Sequence, residues 1–263
     1  MPNPSRSSSG CVPESAYYGL IASIIPDVDF HQNHYARQLD RVVIDGARWL
    51  DVGAGSKIHD GYGVPTPTEL ASRCARVVGL DFEVEHLRRN MCLTEYAVGG
   101  ADAIPFPTGS FDLVTANMVL EHLQFPVQVL REVARVLVPG GRFVFVTPNL
   151  NHPMVRVASI VLRPQTQRVL ANRLESRPLE HVFPTFYRAN TSHEIESLAV
   201  DSGLITESLE VVRNIPFLTR PSLATWLECH FIRACRHGVF RRLGADILGV
   251  LRKPTEDRPG IAR

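Results

Sequence analysis

The stretch RWLDVGAGSK, Arg48 to Lys57, decides the fold of this chain. A short run of strand-forming residues ends in an acidic residue, and a tight glycine turn follows at once. Gly53 and Gly55 allow bare backbone to approach a ligand, because no Cβ stands in the way. In an open parallel sheet, ligands bind beyond the carboxyl ends of the strands. The stretch therefore predicts a first strand, Arg48–Val52, that ends at a ligand-binding turn.

Further strand-like runs alternate with helical patterns, which is typical of a parallel sheet covered by helices on both faces. Thr68 is expected to cap the first crossover helix, and Thr191 with Glu194 forms a capping box for a late one. Pro139-Gly140-Gly141 is expected to end a helix and to turn into the fifth strand. The predicted strands are 48–52, 76–80, 95–98, 111–116, 142–146, 204–212 and 247–251, and the clearest helices are 83–90, 127–137 and 191–203.

Composition is that of an ordinary globular protein, with 44% hydrophobic and 21% charged residues among 263. The five cysteines are scattered without a CxxC pair, which favours free thiols in a reducing, cytoplasmic compartment. Residues 1–15 lack an apolar signal-peptide core and are predicted to be a disordered leader. We expect one domain over 16–253, with a helical insertion at about 149–190, and a tail over 254–263.

The net charge of +1 conceals an asymmetry, because residues 213–263 carry ten basic and four acidic side chains. Within this part, residues 222–244 contain Leu223, Leu227, Phe231 and Cys235 at helical spacing, followed by arginines. Such a basic amphipathic segment can lie on a membrane surface. Alternatively, the segment packs on the protein's own core or on a second subunit, and a homodimer is therefore also possible as a prediction from the sequence.

The glycine turn fits a dinucleotide fingerprint poorly. G-x-G-x-x-G would place a third glycine at position 58, where the chain has Ile58. Asp81 follows Asp51 by thirty residues, whereas nicotinamide sites use a separation of about 20. A carboxylate at the end of the second strand can accept hydrogen bonds from both hydroxyls of a ribose. The alternative role for Asp81 is a cap on the following helix.

Three stretches together resemble class I S-adenosylmethionine-dependent methyltransferases, in particular the broad group related to ubiquinone-biosynthesis enzymes. They are WLDVGAGSK, VVGLD and the long run from GADAIPFPTGSFDLVTANMVLEHL to VLREVARVLVPGGRFVFVTPN. The resemblance is strong over residues 47–149 and loose over 180–253. It implies an α/β fold, a Rossmann-like three-layer sandwich. Its sheet would have seven mostly parallel strands in the order 3-2-1-4-5-7-6, with the last strand antiparallel.

The resemblance also implies roles for individual residues. The first motif would lie under the methionine end of S-adenosylmethionine, Asp81 would bind the ribose, and Asn117 would lie near the sulfonium. Lys57 departs from many relatives, which carry a small residue there. The residues expected to bind the cofactor are Asp51, Gly53, Gly55, Asp81, Phe82 and Asp102, with Ala103 and Asn117.

The chemistry of the donor agrees with these assignments. A sulfonium is a fixed positive charge, so its site needs carboxylates and carbonyls rather than the N–H donors that a pyrophosphate requires. Asp51, Asp81 and Asp102 lie at or after three successive strand ends, and we expect all three to face one cleft. Such a cleft would repel the pyrophosphate of a dinucleotide.

His122 is the candidate catalytic residue, because histidine titrates near neutrality and could take a proton from an acceptor hydroxyl. It could equally line the pocket or bond only to backbone. The candidate substrate residues are Tyr35, Glu121, His181 and Tyr187. The histidines and acids show no metal-binding motif, so no metal is predicted.

The sequence therefore predicts S-adenosylmethionine-dependent methyl transfer to a small-molecule, glycan or lipid-precursor acceptor, and a nucleic-acid substrate is not expected. Two alternatives stay open: a nicotinamide-dependent oxidoreductase on a similar sheet, and a non-catalytic module that binds S-adenosylmethionine.

Overall fold

A computed structural model describes residues 14–161, 183–217 and 222–255. His181, most of the predicted leader and most of the predicted tail lie outside these ranges. Residues 14 and 15, which were assigned to the leader, belong to the first helix. Of the predicted insertion, the described part contains one helix that follows the fifth strand.

The strands form one twisted sheet in the order β3-β2-β1-β4-β5-β7-β6. Strands β1 to β5 pair in parallel, and β7 is antiparallel to both of its neighbours. This topology confirms the predicted fold class. The strands are β1 (Arg48–Val52), β2 (Arg76–Asp81), β3 (Glu95–Val98), β4 (Phe111–Asn117), β5 (Leu137–Pro148), β6 (Ile205–Val212) and β7 (Asp246–Arg252).

The helices of the described residues are α1 (Glu14–Ile24), α2 (His31–Val42), α3 (Pro67–Ser72), α4 (Val84–Arg89), α5 (Pro126–Val136), α6 (Pro153–Val161), α7 (Ser192–Asp201) and α8 (Leu223–Ala234). Two short 3-10 helices, Leu120–His122 and Gly238–Leu243, follow β4 and α8. The capping box predicted at Thr191 and Glu194 is present at the start of α7.

Helices cover both faces of the sheet because neighbouring residues of a strand point to opposite sides. Trp49 and Leu50 of β1 are both fully buried, but they belong to different apolar clusters. One cluster includes Leu130 of α5 and Ile195 of α7, and the other includes Leu39 of α2. The core therefore consists of two layers, as a sheet buried on both faces requires.

Two predictions about helix and strand ends are wrong. The cap of α3 is Thr66 rather than Thr68, because the Thr66 hydroxyl and the Glu69 carboxylate bond to each other's backbone N–H groups. The Pro139-Gly140-Gly141 stretch lies inside β5, which begins at Leu137. A register shift between β4 and β5 at this stretch accommodates the irregular residues.

The predicted apolar stripe of residues 222–244 does not form one buried face. Thr225, Cys229 and Ile232 face inward, whereas Leu223 and Leu227 of the stripe are exposed. The inward face packs on α1, since Tyr17, Ile21, Ile24 and Ile25 share an apolar cluster with Cys229 and Ile232. Helix α8 therefore presents part of the stripe to the outside.

Gly249 in β7 allows close packing in the centre of the sheet. A Cβ at Gly249 would lie 2.1 Å from Cζ of its cross-strand neighbour Phe145, whose ring is fully buried. We expect Gly249→Ala to lower the free energy of unfolding by about 1–3 kcal/mol through overpacking. Gly19→Ala in α1, where a Cβ meets nothing within 4 Å, is the control and should be neutral or stabilising. Urea denaturation measures both, and equal effects would contradict this account.

Candidate functional site

A cleft of about 440 Å³ opens at the carboxyl edge of the sheet, above β1, β2 and β4. Pockets of about 300–1,000 Å³ are typical of sites for small molecules. The residues that line it come from the glycine turn, the ends of β2 and β4, and the loops that follow those strands. Of the residues that were expected to bind a cofactor, the cleft is lined by Gly53, Gly55, Asp81, Phe82, Asp102 and Asn117.

The glycine turn forms the floor of the cleft. Gly53 has a φ of +67°, and a Cβ there would lie 2.5 Å from Cγ2 of Val119. Both the backbone conformation and the close approach therefore require glycine at this position. Gly55 also has a positive φ, +46°. The turn consequently exposes bare backbone to the space above β1, which is the property predicted from the sequence.

Asp81 connects the glycine turn to the end of β2. Its Oδ2 accepts the N–H of Gly55 at 2.9 Å, and its Oδ1 accepts the N–H of Glu83 at 3.0 Å. The contact with Glu83 precedes α4, whose N-cap residue is Glu83 and which has no side-chain cap, so Asp81 does not have the helix-capping role that was one alternative. Asp81 lines the cleft. A carboxylate has about four acceptor sites, so each oxygen keeps acceptor capacity for a ligand.

Phe82 and Asp102 form the wall on the β3 side. The Phe82 side chain is 66% exposed, and its ring borders the cleft. A Cβ at Gly100 would lie 2.4 Å from Asp102 Oδ1 and 3.1 Å from Phe82 Cζ, so glycine at this position lets the two side chains approach. Ala103 is exposed and does not line the cleft. An apolar ring beside a carboxylate suits a flat base that carries an amino group.

Asn117 is fixed at the end of β4 by contacts from two segments. Its Nδ2 donates to Gln32 Oε1 at 2.7 Å and to the carbonyl oxygen of Ile58 at 2.9 Å, and Gln32 Nε2 donates to Asn117 Oδ1 at 3.0 Å. Helix α2 therefore fixes the orientation of Asn117 at this end of the cleft. Sequence reasoning missed Gln32, because no local pattern relates a helical glutamine to a strand end 85 residues away.

Asp51 lies behind the cleft rather than on its surface, contrary to the expectation that three aspartates face it. It is 2% exposed and accepts a hydrogen bond from the Thr115 hydroxyl at 2.5 Å. Thr115 in turn accepts the indole N–H of Trp49 at 2.7 Å. Burial raises the pKa of Asp51 to about 7. Asp51 can therefore support the turn from below, while Asp81 and Asp102 line the cleft.

His122 lines the cleft, and its tautomer is fixed by a backbone contact. Its Nδ1 lies 3.0 Å from the carbonyl oxygen of Pro184. A carbonyl can only accept, so Nδ1 donates and Nε2 of the neutral ring carries the lone pair. Burial lowers the pKa of His122. The ring is therefore neutral at pH 7 and can accept a proton at Nε2.

The predicted substrate residues are less accessible. Tyr35 is fully buried, and its hydroxyl has no hydrogen-bond partner among the described residues. The backbone N–H of Tyr187 donates to the carbonyl oxygen of Glu121 at 3.1 Å, and its φ is +51°. Glu121 is 4% exposed and bonds to Thr147 at 3.1 Å. None of these three lines the cleft.

Glu121 belongs to a buried acidic pair that sequence reasoning missed. Asp246, at the start of β7, is 3% exposed, and the charge of Glu121 acts on it. Asn214 donates to Asp246 at 3.0 Å, and Nδ1 of His31 lies 3.8 Å from the same carboxylate. Burial raises the pKa of both Glu121 and Asp246 to about 7. Protonation near neutrality relieves the repulsion between the two acids.

Most of the other lining residues are apolar, and several of them lie within the stretches that carry the family resemblance. They are Val52, Leu80, Ala101, Met118, Val119, Leu123, Phe125, Val129 and Phe183, together with Gly99, Gln124 and His86. Within the ranges that the structure covers, no group of three or more His, Cys, Asp or Glu side chains is placed to hold a metal ion. Likewise, no helix of those ranges is long and apolar enough to cross a membrane.

Comparison with known proteins shows what this chain is similar to in sequence. Residues 50–145 match the methyltransferase-domain family. A probable S-adenosylmethionine-dependent methyltransferase of Mycolicibacterium smegmatis is 34% identical over 122 residues, which are 45% of this chain and 44% of that protein. The demethylmenaquinone methyltransferase of Renibacterium salmoninarum is 32% identical over 160 residues, which are 56% of this chain and 63% of that protein. The chain thus spans about half the length of the curated relatives it matches.

The fold is shared with solved structures. An S-adenosylmethionine-dependent methyltransferase from Methanosarcina mazei superposes with a TM-score of 0.54 at 19% identity, over 83% of this chain and 98% of that one. The strand order and the cleft at the carboxyl edge thus define a class I methyltransferase fold. Residues 50–145 therefore match a methyltransferase domain, and the chain resembles S-adenosylmethionine-dependent methyltransferases in sequence and in fold.

The buried acidic pair makes stability depend on pH. The pKa of Asp246 is about 7 in the folded chain and near 3.8 when unfolded. Its contribution to stability is therefore fully present below about pH 4 and is lost as the pH rises towards 7. Asp246→Asn, which keeps an acceptor for Asn214, should remove this loss and stabilise the chain at pH 8 relative to wild type. The gain should be on the order of 2–4 kcal/mol.

The measurement is denaturant unfolding of both proteins between pH 5 and pH 8, a window chosen to bracket a pKa of about 7. Asp201→Asn, a change to an exposed acid at the end of α7, serves as the control and should leave the slope unchanged. Parallel stability curves for wild type and Asp246→Asn would refute a raised pKa at Asp246.

Proposed function

We propose that this chain is an S-adenosylmethionine-dependent methyltransferase that acts on a small-molecule, glycan or lipid-precursor acceptor. The observation that carries the proposal is the position of Asp81 in the cleft. Its carboxylate lies beside the bare glycine turn, bonds to Gly55, and faces the same space as Phe82 and Asp102. This arrangement suits a ribose flanked by an amino acid on one side and a base on the other.

The residues of the cleft fit this cofactor in chemistry and in space. Asp81 would accept hydrogen bonds from the ribose hydroxyls, and Phe82 with Asp102 would receive adenine and its amino group. The turn at Gly53 and the amide of Asn117 would lie beside the methionine part. When bound, S-adenosylmethionine supplies an electrophilic methyl group on a positively charged sulfur. A cleft lined by the carboxylates of Asp81 and Asp102 favours a ligand with a positive charge.

The same features disfavour a nicotinamide dinucleotide. A pyrophosphate needs clustered backbone N–H donors at a long helix N-terminus. Here the N–H of Gly55 is already used by Asp81, and those of Gly53 and Ala54 point to the carbonyl oxygen of Leu80, at 2.7 and 3.3 Å. Donors that are already paired, beside carboxylates, make a poor pyrophosphate site. The hydrogen bonding of the glycine turn therefore does not support the alternative of a nicotinamide-dependent oxidoreductase.

The residues of the chain would align the acceptor with the methyl donor and would supply one proton acceptor. Alignment of reacting groups in such a cleft can supply about 7–11 kcal/mol of a barrier. Nε2 of His122 carries a lone pair on the cleft wall and would take the proton of an acceptor hydroxyl. The apolar residues around it, including Leu123, Phe125 and Phe183, exclude water from this side. An acceptor with an apolar body and an ionisable hydroxyl suits that lining best.

The first test concerns donor binding. Asp81→Asn keeps an acceptor for the N–H of Gly55 but removes the charge, so affinity for S-adenosylmethionine should fall roughly 10- to 100-fold. Calorimetric titration of wild type, Asp81→Asn and the exposed control Asp201→Asn measures the effect. A second titration of wild type with NADH should show no comparable binding. Unchanged affinity of Asp81→Asn would remove Asp81 from the ribose site, and tight NADH binding would revive the oxidoreductase.

The second test concerns His122. If its Nε2 accepts the acceptor's proton, His122→Gln should reduce kcat by about 10²–10⁴-fold and leave donor affinity unchanged. The wild-type pH profile of kcat should lose activity only below the usual histidine pKa, because burial lowers the pKa of His122. The measurement is methyl transfer to a panel of phenols and quinols, followed by mass spectrometry. An equal loss of donor binding and turnover would identify His122 as pocket wall.

A further inference from the structure

The segment between β6 and β7 lies at the same edge of the sheet as the cleft. Val212 and Pro148, the last residues of β6 and β5, both pair with Asp246, the first residue of β7. Residues 213–245 therefore leave and rejoin the sheet at its carboxyl edge. Helix α8 is the main described element of this segment, and His152, just after β5, lies 5.5 Å from Phe231 of α8, measured between ring centroids.

One face of α8 is occupied, and the opposite face is open. Thr225, Cys229 and Ile232 are buried, and the last two pack on α1. Leu223, Trp226 and Leu227 lie three and four residues apart on the other side, and they are 73%, 43% and 56% exposed. Isolated exposed apolar residues are normal in proteins, but a contiguous group of large ones indicates an interaction surface.

We call Leu223, Trp226 and Leu227 the outer apolar face of α8. The 3-10 helix that follows α8 also carries exposed apolar side chains, with Val239 79% and Phe240 49% exposed. An aromatic indole beside aliphatic side chains is the composition found where proteins meet the interfacial region of a bilayer.

Basic side chains outnumber acidic ones in the segment that carries the outer apolar face. Residues 222–244 contain four arginines and a single acid, Glu228, which is 8% exposed and accepts the N–H of Phe217. Arg236 pairs with Asp27 at 2.9 Å. For the exposed Arg233 and Arg242, no carboxylate partner exists among the described residues. These two guanidinium groups can therefore pair with anions from outside the chain.

We propose that the outer apolar face and its arginines dock this protein on an anionic lipid surface. Positive charge on the same helix as exposed Leu and Trp side chains complements anionic headgroups above an apolar layer. A second copy of the chain would bring the same arginines together, and that repulsion disfavours a symmetric dimer through this face. Docking here places the carboxyl edge of the sheet, with its cleft, close to lipid-dissolved molecules.

The experiment is cosedimentation of the full chain with vesicles of phosphatidylcholine alone or of equal parts phosphatidylcholine and phosphatidylglycerol. Wild type should bind the anionic vesicles, and added salt should weaken binding. Trp226 should give a blue-shifted emission on binding, because Trp49 is already buried and contributes a constant signal. Trp226→Ser with Leu227→Ser should weaken binding by about tenfold or more.

A second pair, Arg233→Gln with Arg242→Gln, should weaken binding on the order of tenfold and reduce its salt dependence. The control is Val200→Ser on α7, where an equally exposed apolar side chain, 75%, lies on another part of the surface. The proposal would be overturned if wild type did not bind vesicles, or if both double variants bound them as strongly as wild type. A wild-type dimer that Trp226→Ser with Leu227→Ser converts to a monomer would assign the face to a second copy.

Titration of every variant with S-adenosylmethionine keeps this inference separate from the proposed function. All surface variants should keep the wild-type donor affinity, because none of the substituted residues lines the cleft. Vesicle binding without donor binding would contradict the proposed function and leave the docking surface intact. Donor binding without vesicle binding would contradict the docking surface and leave the proposed function intact.

Discussion

The hydrogen bond from the N–H of Gly55 to the carboxylate of Asp81 holds the cleft together. It links the turn after β1 to the end of β2, the neighbouring strand, at 2.9 Å. The second oxygen of Asp81 accepts the N–H of Glu83, just before α4. One carboxylate therefore fixes two loops and still offers acceptor capacity to a ligand. Because the strands are parallel, their carboxyl ends meet at this edge, and the loops after β3 and β4 complete the walls.

Behind the cleft lies a set of buried polar groups that do not touch its surface. Asp51 is fixed by Thr115, and Glu121 and Asp246 form a second, acidic group under the start of β7. Each acid has a pKa of about 7, with burial as the main cause. Such groups cost stability at neutral pH, and these three acids lie at the carboxyl edge of the sheet, where the cleft opens. This distribution is common at functional sites, where stability and activity compete.

The cleft is completed by segments outside the regular alternation of strands and helices. Gln32 of α2 fixes Asn117 at the end of β4, and Pro184 orients His122. These two contacts give the common sheet its particular cleft wall. Helix α8, in the segment that follows β6, packs its inner face on α1 and does not line the cleft. The proposed lipid surface and the apolar lining near His122 are compatible with an acceptor that partitions into a membrane.

The sequence by itself determined the sheet, its glycine turn and the acids that end or follow β2 and β3, because these depend on local periodicity, turn chemistry and a recognisable joint pattern. Only the tertiary structure decided that Asp51 is buried behind the cleft and that Asp246 lies near Glu121. It also decided that the stripe of α8 is divided between an inner and an outer face. These properties depend on which elements pack together across long separations in the sequence, 64 residues between Asp51 and Thr115 and 85 between Gln32 and Asn117. Burial and long-range pairing are set by the assembled core, and no window of sequence contains them.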